Sequence, residues 1–148
     1  MHSPGHPADA IRDGARILGR VLLPHGFEFH MAEVQHGSGG TSCSGMFRRA
    51  DRTIEFHYRH GLGLVEYRVG QYKLGHSDFV RAVGSTSARY PGFFATASEA
   101  FEALAGDIES ILLPYILAEE RAISSVLCEL APPARGFSAL SAARPKDA

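Results

Sequence analysis

Residues 53–70 read TIEFHYRHGLGLVEYRVG, and this stretch decides the fold class. Ile54, Phe56 and Tyr58 alternate with Glu55, His57 and Arg59. Beyond Gly61, Leu62 and Gly63, the residues Val65, Tyr67 and Val69 alternate with Leu64, Glu66 and Arg68. A period of two sends one set to one side of a pleated strand and the other set to the opposite side. Each run is therefore a half-buried strand with an apolar and a polar face. The connection is far too short for a parallel crossover, which takes about a dozen residues or more, so the two strands form an antiparallel hairpin.

Upstream, Phe27, Phe29 and Met31 alternate with Glu28, His30 and Ala32, which makes a further strand. Residues 37–45 (GSGGTSCSG) read as a glycine- and serine-rich loop or a frayed strand edge, and residues 46–49 lead into a turn at Ala50 and Asp51. Downstream, residues 72–74 allow another short strand. Ahead of the sheet, Ile11, Ala15, Leu18 and Leu22 recur at helical spacing until Pro24, His25 and Gly26 stop the helix. Gly14 and Gly19 weaken that helix intrinsically, so it must depend on packing.

Behind the sheet, Ser77 and Asp78 open a short helix through Val83, and residues 84–94 form a loop. Thr96 with Glu99 three residues later is a capping box. The helix behind it aligns Phe101, Leu104, Ile108, Ile111, Leu112 and Tyr115, and Pro114 must kink or divide it. A helical pattern resumes over residues 116–130, and Pro132 and Pro133 end it. A helix, then strands, then helices is an α+β order. The expected architecture is an N-terminal helix, a four- to five-stranded antiparallel meander over about residues 27–74, and two to three C-terminal helices packed on one sheet face. It forms a single domain over residues 8–131, with flexible tails at 1–7 and 132–148.

Composition removes several functional classes. The chain has 148 residues, 45% of them hydrophobic and 21% charged, which is ordinary for one globular domain that buries roughly 70% of its unfolded surface. A net charge of −1 provides no bulk field for nucleic acid or an anionic membrane, so neither is an expected partner. No apolar run is long enough to span a bilayer and no secretory leader is recognisable, which makes the cytoplasm the expected location. The two cysteines, Cys43 and Cys128, form no disulfide framework or metal spacing.

Residues 37–70, the run GHSDFVRAV at residues 75–83 and the run RYPGFFATASEAFEALAGDIE at residues 89–109 together resemble a family of small bacterial α+β proteins that carries no established activity. Its marks are a glycine-rich segment, R-x-I-E-x-H-x-R followed by L-G-L-V-x-Y-x-V-G, an H-x-D-[YF]-x-R-A helix, and a Y-P-G-F turn before an F-x-x-L-x-x-D helix. The resemblance covers about residues 26–109 and implies an architecture but no catalytic residues. The size and style of such proteins suggest an immunity or antitoxin type.

Candidate site residues come from the polar strand parity. Glu28, His30, Glu55, His57, Arg59, Glu66 and Arg68 are expected on the sheet face away from the apolar one, where they would bind an unidentified protein partner. The alternative is a small enzyme or a metal- or ligand-binding protein using His30, Glu55 and His57. Cross-strand charge pairing accounts for the same pattern without any ligand, so no cofactor and no metal is assigned.

Other candidates have simpler explanations. The glycine-rich stretch lacks the Gly-Lys-Ser/Thr ending of a phosphate loop, and Cys43 lacks an orienting base. In His76, Ser77 and Asp78 the latter two read as helix-start residues. Tyr90, Pro91, Gly92, Phe93 and Phe94 read as an aromatic turn at the core edge. The apolar surplus of residues 116–130 suggests a homodimer through that helix.

Overall fold

The computed structural model describes residues 6–84 and 96–119. Its first helix, α1 (Pro7–Leu22), starts where the His6 ring nitrogen accepts the Ala8 N–H at 3.2 Å, with Pro7 in the first turn where no N–H is needed. Ile11, Leu18 and Leu22 form its wholly buried stripe. A 3₁₀ turn, Leu23–His25, and Gly26 at φ 89° end it.

Six strands follow: β1 (Glu28–Met31), β2 (Gln35–Gly37), β3 (Gly40–Arg49), β4 (Arg52–Tyr58), β5 (Leu62–Val69) and β6 (Tyr72–Gly75). Their order is β1-β3-β4-β5-β6, every pairing is antiparallel, and β2 pairs with the start of β3. β1 and β2 are thus two pieces of one edge lying along the long β3.

The stretch at residues 37–45, expected as a loop or frayed edge, is instead a β2–β3 hairpin that runs into an interior strand. Glycine and serine mask it because they lack strand propensity, and tertiary packing overrides that preference. Gly45 shows why a side chain is missing there. A Cβ would lie 2.8 Å from the Phe29 ring, 3.0 Å from Phe56 and 3.1 Å from Ile11. Those rings and α1 fill the space that a larger residue on β3 would occupy.

Two local devices set the register. Ala50 and Asp51 close the β3–β4 turn with Ala50 at φ 52°, a left-handed conformation that costs a non-glycine residue about 1 kcal/mol or more. Between β4 and β5 the register shifts, with Phe56 opposite Val65 but Tyr58 opposite Leu62. The extra residue on β5 is a bulge that lets Leu62 and Val65 both face the core and leaves Leu64 exposed.

One layer of helices covers the apolar face. α1 lies over β1, β3 and β4 and against α3 (Ala97–Asp107); α2 (His76–Ala82) sits on β5 and β6. Phe29, Phe47 and Phe56 stack beneath α1, and Phe101 of α3 meets Phe56 edge-on at 5.6 Å. The Thr96–Glu99 capping box is made in both directions, at 3.1 and 3.2 Å. Ahead of Pro114 the helix widens into a π-helical segment, Ile108–Leu112, before α4 (Leu113–Leu117). Pro114 cannot donate to a preceding carbonyl, and the wider turn absorbs that defect. Arg52, buried at the start of β4, donates to the carbonyls of Ile116 (3.0 Å) and Ala118 and to Asp51. A guanidinium on the last carbonyls of a helix satisfies them and complements the dipole.

Pro7, expected in the tail of residues 1–7, is buried in the first turn of α1, and α4 stops at Leu117 with Ala118 extended, so the helical pattern expected over residues 116–130 is broken near its start. Residues 1–5 of that tail, the aromatic turn at 90–94, Cys128, residues 120–130 of that pattern with the rest of the homodimer surface expected on it, and the tail at 132–148 lie outside the described residues. No helix among the described residues is long and apolar enough to cross a membrane.

Gly14 is the contact point of α1 and α3, because a Cβ there would overlap the Phe101 ring. Gly14→Ala should destabilise the protein by about 1–3 kcal/mol in urea unfolding, although alanine is the better helix former, because overpacking outweighs propensity. An unchanged or raised midpoint would contradict the packing described.

Candidate functional site

The sheet face opposite the helices is organised in rows by the register. One row runs Glu28, Arg48, Thr53, Arg68, Lys73 across β1, β3, β4, β5 and β6. The next runs His30, Met46, Glu55, Glu66, Gly75, and beyond it His57 stands opposite Ser44. The face therefore carries a basic row beside an acidic one. No described helix packs on it.

Glu55 and Glu66 face each other directly across β4 and β5. Like charges in that position repel and weaken a sheet. His57 lies 3.4 Å from Glu55 and Lys73 lies 3.6 Å from Glu66, so each carboxylate has a basic neighbour. One nitrogen of His57 and one oxygen from each glutamate lie within 4.8 Å of one another. All three side chains are half-buried.

The expected site residues divide. Glu55, His57, Glu66 and Arg68 share the centre of the outer face. Glu28 and His30 lie on the edge strand, 3.9 Å from each other. His30 is two strands from Glu55, about 10 Å at the usual strand spacing, so His30, Glu55 and His57 do not form one ligand set. Glu66 takes the third place beside Glu55 and His57. Arg59 is in the turn after β4, with its guanidinium over Gly39 at the β2–β3 hairpin tip. The parity argument also reaches Arg48 and Lys73, which alternate with Phe47, Tyr72 and Leu74, although neither was among the expected residues. A shallow recess of about 190 Å³ between β1 and β3 is bordered by His30, Met46 and Glu55.

A second polar group lies on the other side of the sheet, inside the core. The Tyr67 hydroxyl is 2.7 Å from Nδ1 of His76, and Nε2 of His76 is 2.9 Å from Oδ2 of Asp107. All three residues are buried. A carboxylate at Asp107 requires the proton on Nε2, and Nδ1 shares the second hydrogen bond with the Tyr67 hydroxyl. Both ring nitrogens are engaged, so the chain links β5, α2 and α3 rather than presenting a base to a substrate. The cap of α2 is Gly75 without a side-chain bond, and Asp78 pairs with Arg81 inside the helix. Ser77 and Asp78 therefore do not cap α2, and His76 is the residue that matters there. Asp107 escaped the sequence argument because its partner is 31 positions away.

Cys43 is not in a loop. It lies buried in β3, where its thiol donates to the Ala32 carbonyl at 3.4 Å. Burial pushes this thiol above its ordinary value, against smaller lowering effects of the Ser44 backbone and of Arg12. A thiol held protonated is a poor nucleophile.

Compared with protein-family models, with curated proteins and with solved structures, the chain matches none.

Asp107→Ala should cost about 1–3 kcal/mol in urea unfolding by removing the acceptor of the His76 Nε2–H in the core, and Asp107→Asn, which keeps an acceptor, should cost less. Equal losses would contradict the bond to Nε2. For Cys43, a raised folded value means that the unfolded thiol ionises first. Stability should fall as pH rises through the ordinary thiol range, above about 8.5. Iodoacetamide labelling followed by peptide mapping should modify Cys43 only as fast as the protein unfolds, and labelling as fast as in denaturant would refute its burial.

Proposed function

We propose that this protein is a non-catalytic binding module of immunity, antitoxin or adaptor type, and that it engages another protein through its outer sheet face. The observation that carries this reading is the sorting of that face into a basic row (Arg48, Arg68, Lys73) beside an acidic one (Glu55, Glu66), with no described helix over it. A helix layer on one face only is sufficient for the core, since an antiparallel sheet tolerates a wet second face. Adjacent rows of opposite sign favour a partner with matching stripes and disfavour others, which is the electrostatic contribution to specificity and association rate. The β2–β3 hairpin tip, with Arg59 folded over Gly39, borders the face and takes the role expected of the glycine-rich stretch.

Catalysis is not part of this reading. The buried Tyr67–His76–Asp107 chain has both imidazole nitrogens engaged, and the only described thiol is buried in β3.

Pull-down from the native host with mass spectrometry would identify the partner, and the purified pair then tests the surface. The double variant Glu55→Lys, Glu66→Lys should weaken binding by about tenfold or more and alter its salt dependence, because reversing an interface charge juxtaposes like charges. Ser98, exposed on α3 on the helix side, serves as the control through Ser98→Lys. Binding unaffected by the double variant but lost in the control would place the interface on the helices and overturn the proposal.

A further inference from the structure

We infer that Glu55, His57 and Glu66 form a binding site for a divalent first-row transition ion such as Zn²⁺. The inference is independent of any protein partner.

Three donors of two kinds converge: an imidazole nitrogen and two carboxylate oxygens, within 4.8 Å of one another. They come from adjacent strands in one ladder, so the backbone already fixes their relative positions. Glu55 and His57 are two residues apart on the same face of β4, and Glu66 is the direct cross-strand neighbour of Glu55. Ligand bonds to Zn²⁺ are about 2.0–2.2 Å long, so the donors must close by about 1 Å, which half-exposed glutamate side chains reach by rotation.

The same register also sets the charges against each other. Placing two carboxylates directly opposite each other is the arrangement a sheet ordinarily avoids. Here it occurs at the middle of the face, and the nearest ammonium, Lys73, is 3.6 Å from Glu66 rather than between the two. A dication between Glu55 and Glu66 would turn this repulsion into attraction.

The donor chemistry selects the ion. An imidazole with carboxylates suits zinc and its neighbours, whereas magnesium and calcium prefer all-oxygen sites. Three protein donors leave coordination positions for water or for a donor from another molecule. Ser44 is the cross-strand neighbour of His57 on this face.

Titration of the untagged full chain with Zn²⁺ in a calorimeter should show one ion per protein, and excess Mg²⁺ should not displace it. Glu55→Gln, His57→Gln and Glu66→Gln should each weaken that binding by about tenfold or more, the loss that even a supporting residue of a metal site causes. Saturating Zn²⁺ should raise the thermal unfolding midpoint of the parent protein, and each variant should lose that rise while keeping the midpoint of the metal-free parent within a few degrees. Absence of stoichiometric binding overturns the inference. So does retention of affinity within threefold by any one of the variants, because the ion would then be held by other histidines.

Discussion

A sheet that buries only one face must keep its register, because a slip of one residue on any strand exchanges the apolar set for the polar one. Here the register is held from both ends of β4. The turn at Ala50 and Asp51 pins β3 to β4, and the bulge at Gly63 and Leu64 brings Leu62 and Val65 to the same side of β5. Phe47, Phe56, Tyr67 and Leu74 face the helices as a consequence, while Glu55, His57, Glu66 and Arg68 face away. The core and the candidate site are therefore two results of one pairing pattern.

The helix layer is attached to that sheet by three kinds of contact, each of which tolerates little change. Two glycines permit close approach: Gly14 beneath the Phe101 ring and Gly45 beneath Phe29, Phe56 and Ile11. The Tyr67–His76–Asp107 chain ties α2 and α3 to β5 through buried hydrogen bonds. Arg52 extends from the sheet end to the carbonyls of Ile116 and Ala118. By contrast, the surface ion pairs along α1, such as Arg12 with Asp9, lie in solvent, where such pairs contribute about 0–1 kcal/mol.

The proposed binding surface and the packed core thereby fall on opposite sides of the sheet. The aromatic side carries the packing, and the outer side carries half-exposed charges whose pairing does little for the fold. That separation allows the outer residues to be substituted without loss of structure. Glu55 and Glu66 stand directly opposite each other in the middle of that face, and each has a basic neighbour, His57 or Lys73.

Much that depends on local period and capping was legible in the chain itself, apart from the start of α2, where the expected Ser77 or Asp78 cap is not made. Alternation over residues 53–70 gave the hairpin and its two faces, the Thr96–Glu99 pair marked the start of α3, and Pro114 marked the break in the C-terminal helix. Parity alone placed Glu55, His57, Glu66 and Arg68 on one face. Only the tertiary structure decided the rest. β3 carries too much glycine and serine to read as an interior strand, and it becomes one because the Phe29 and Phe56 rings and α1 occupy the space its side chains would need. His76 meets Tyr67 and Asp107 only after α2 and α3 have docked, and His30 is separated from Glu55 only because β3 intervenes. Periodicity encodes the side of an element on which a residue lies, whereas distances between elements depend on strand order and packing, which no local pattern specifies.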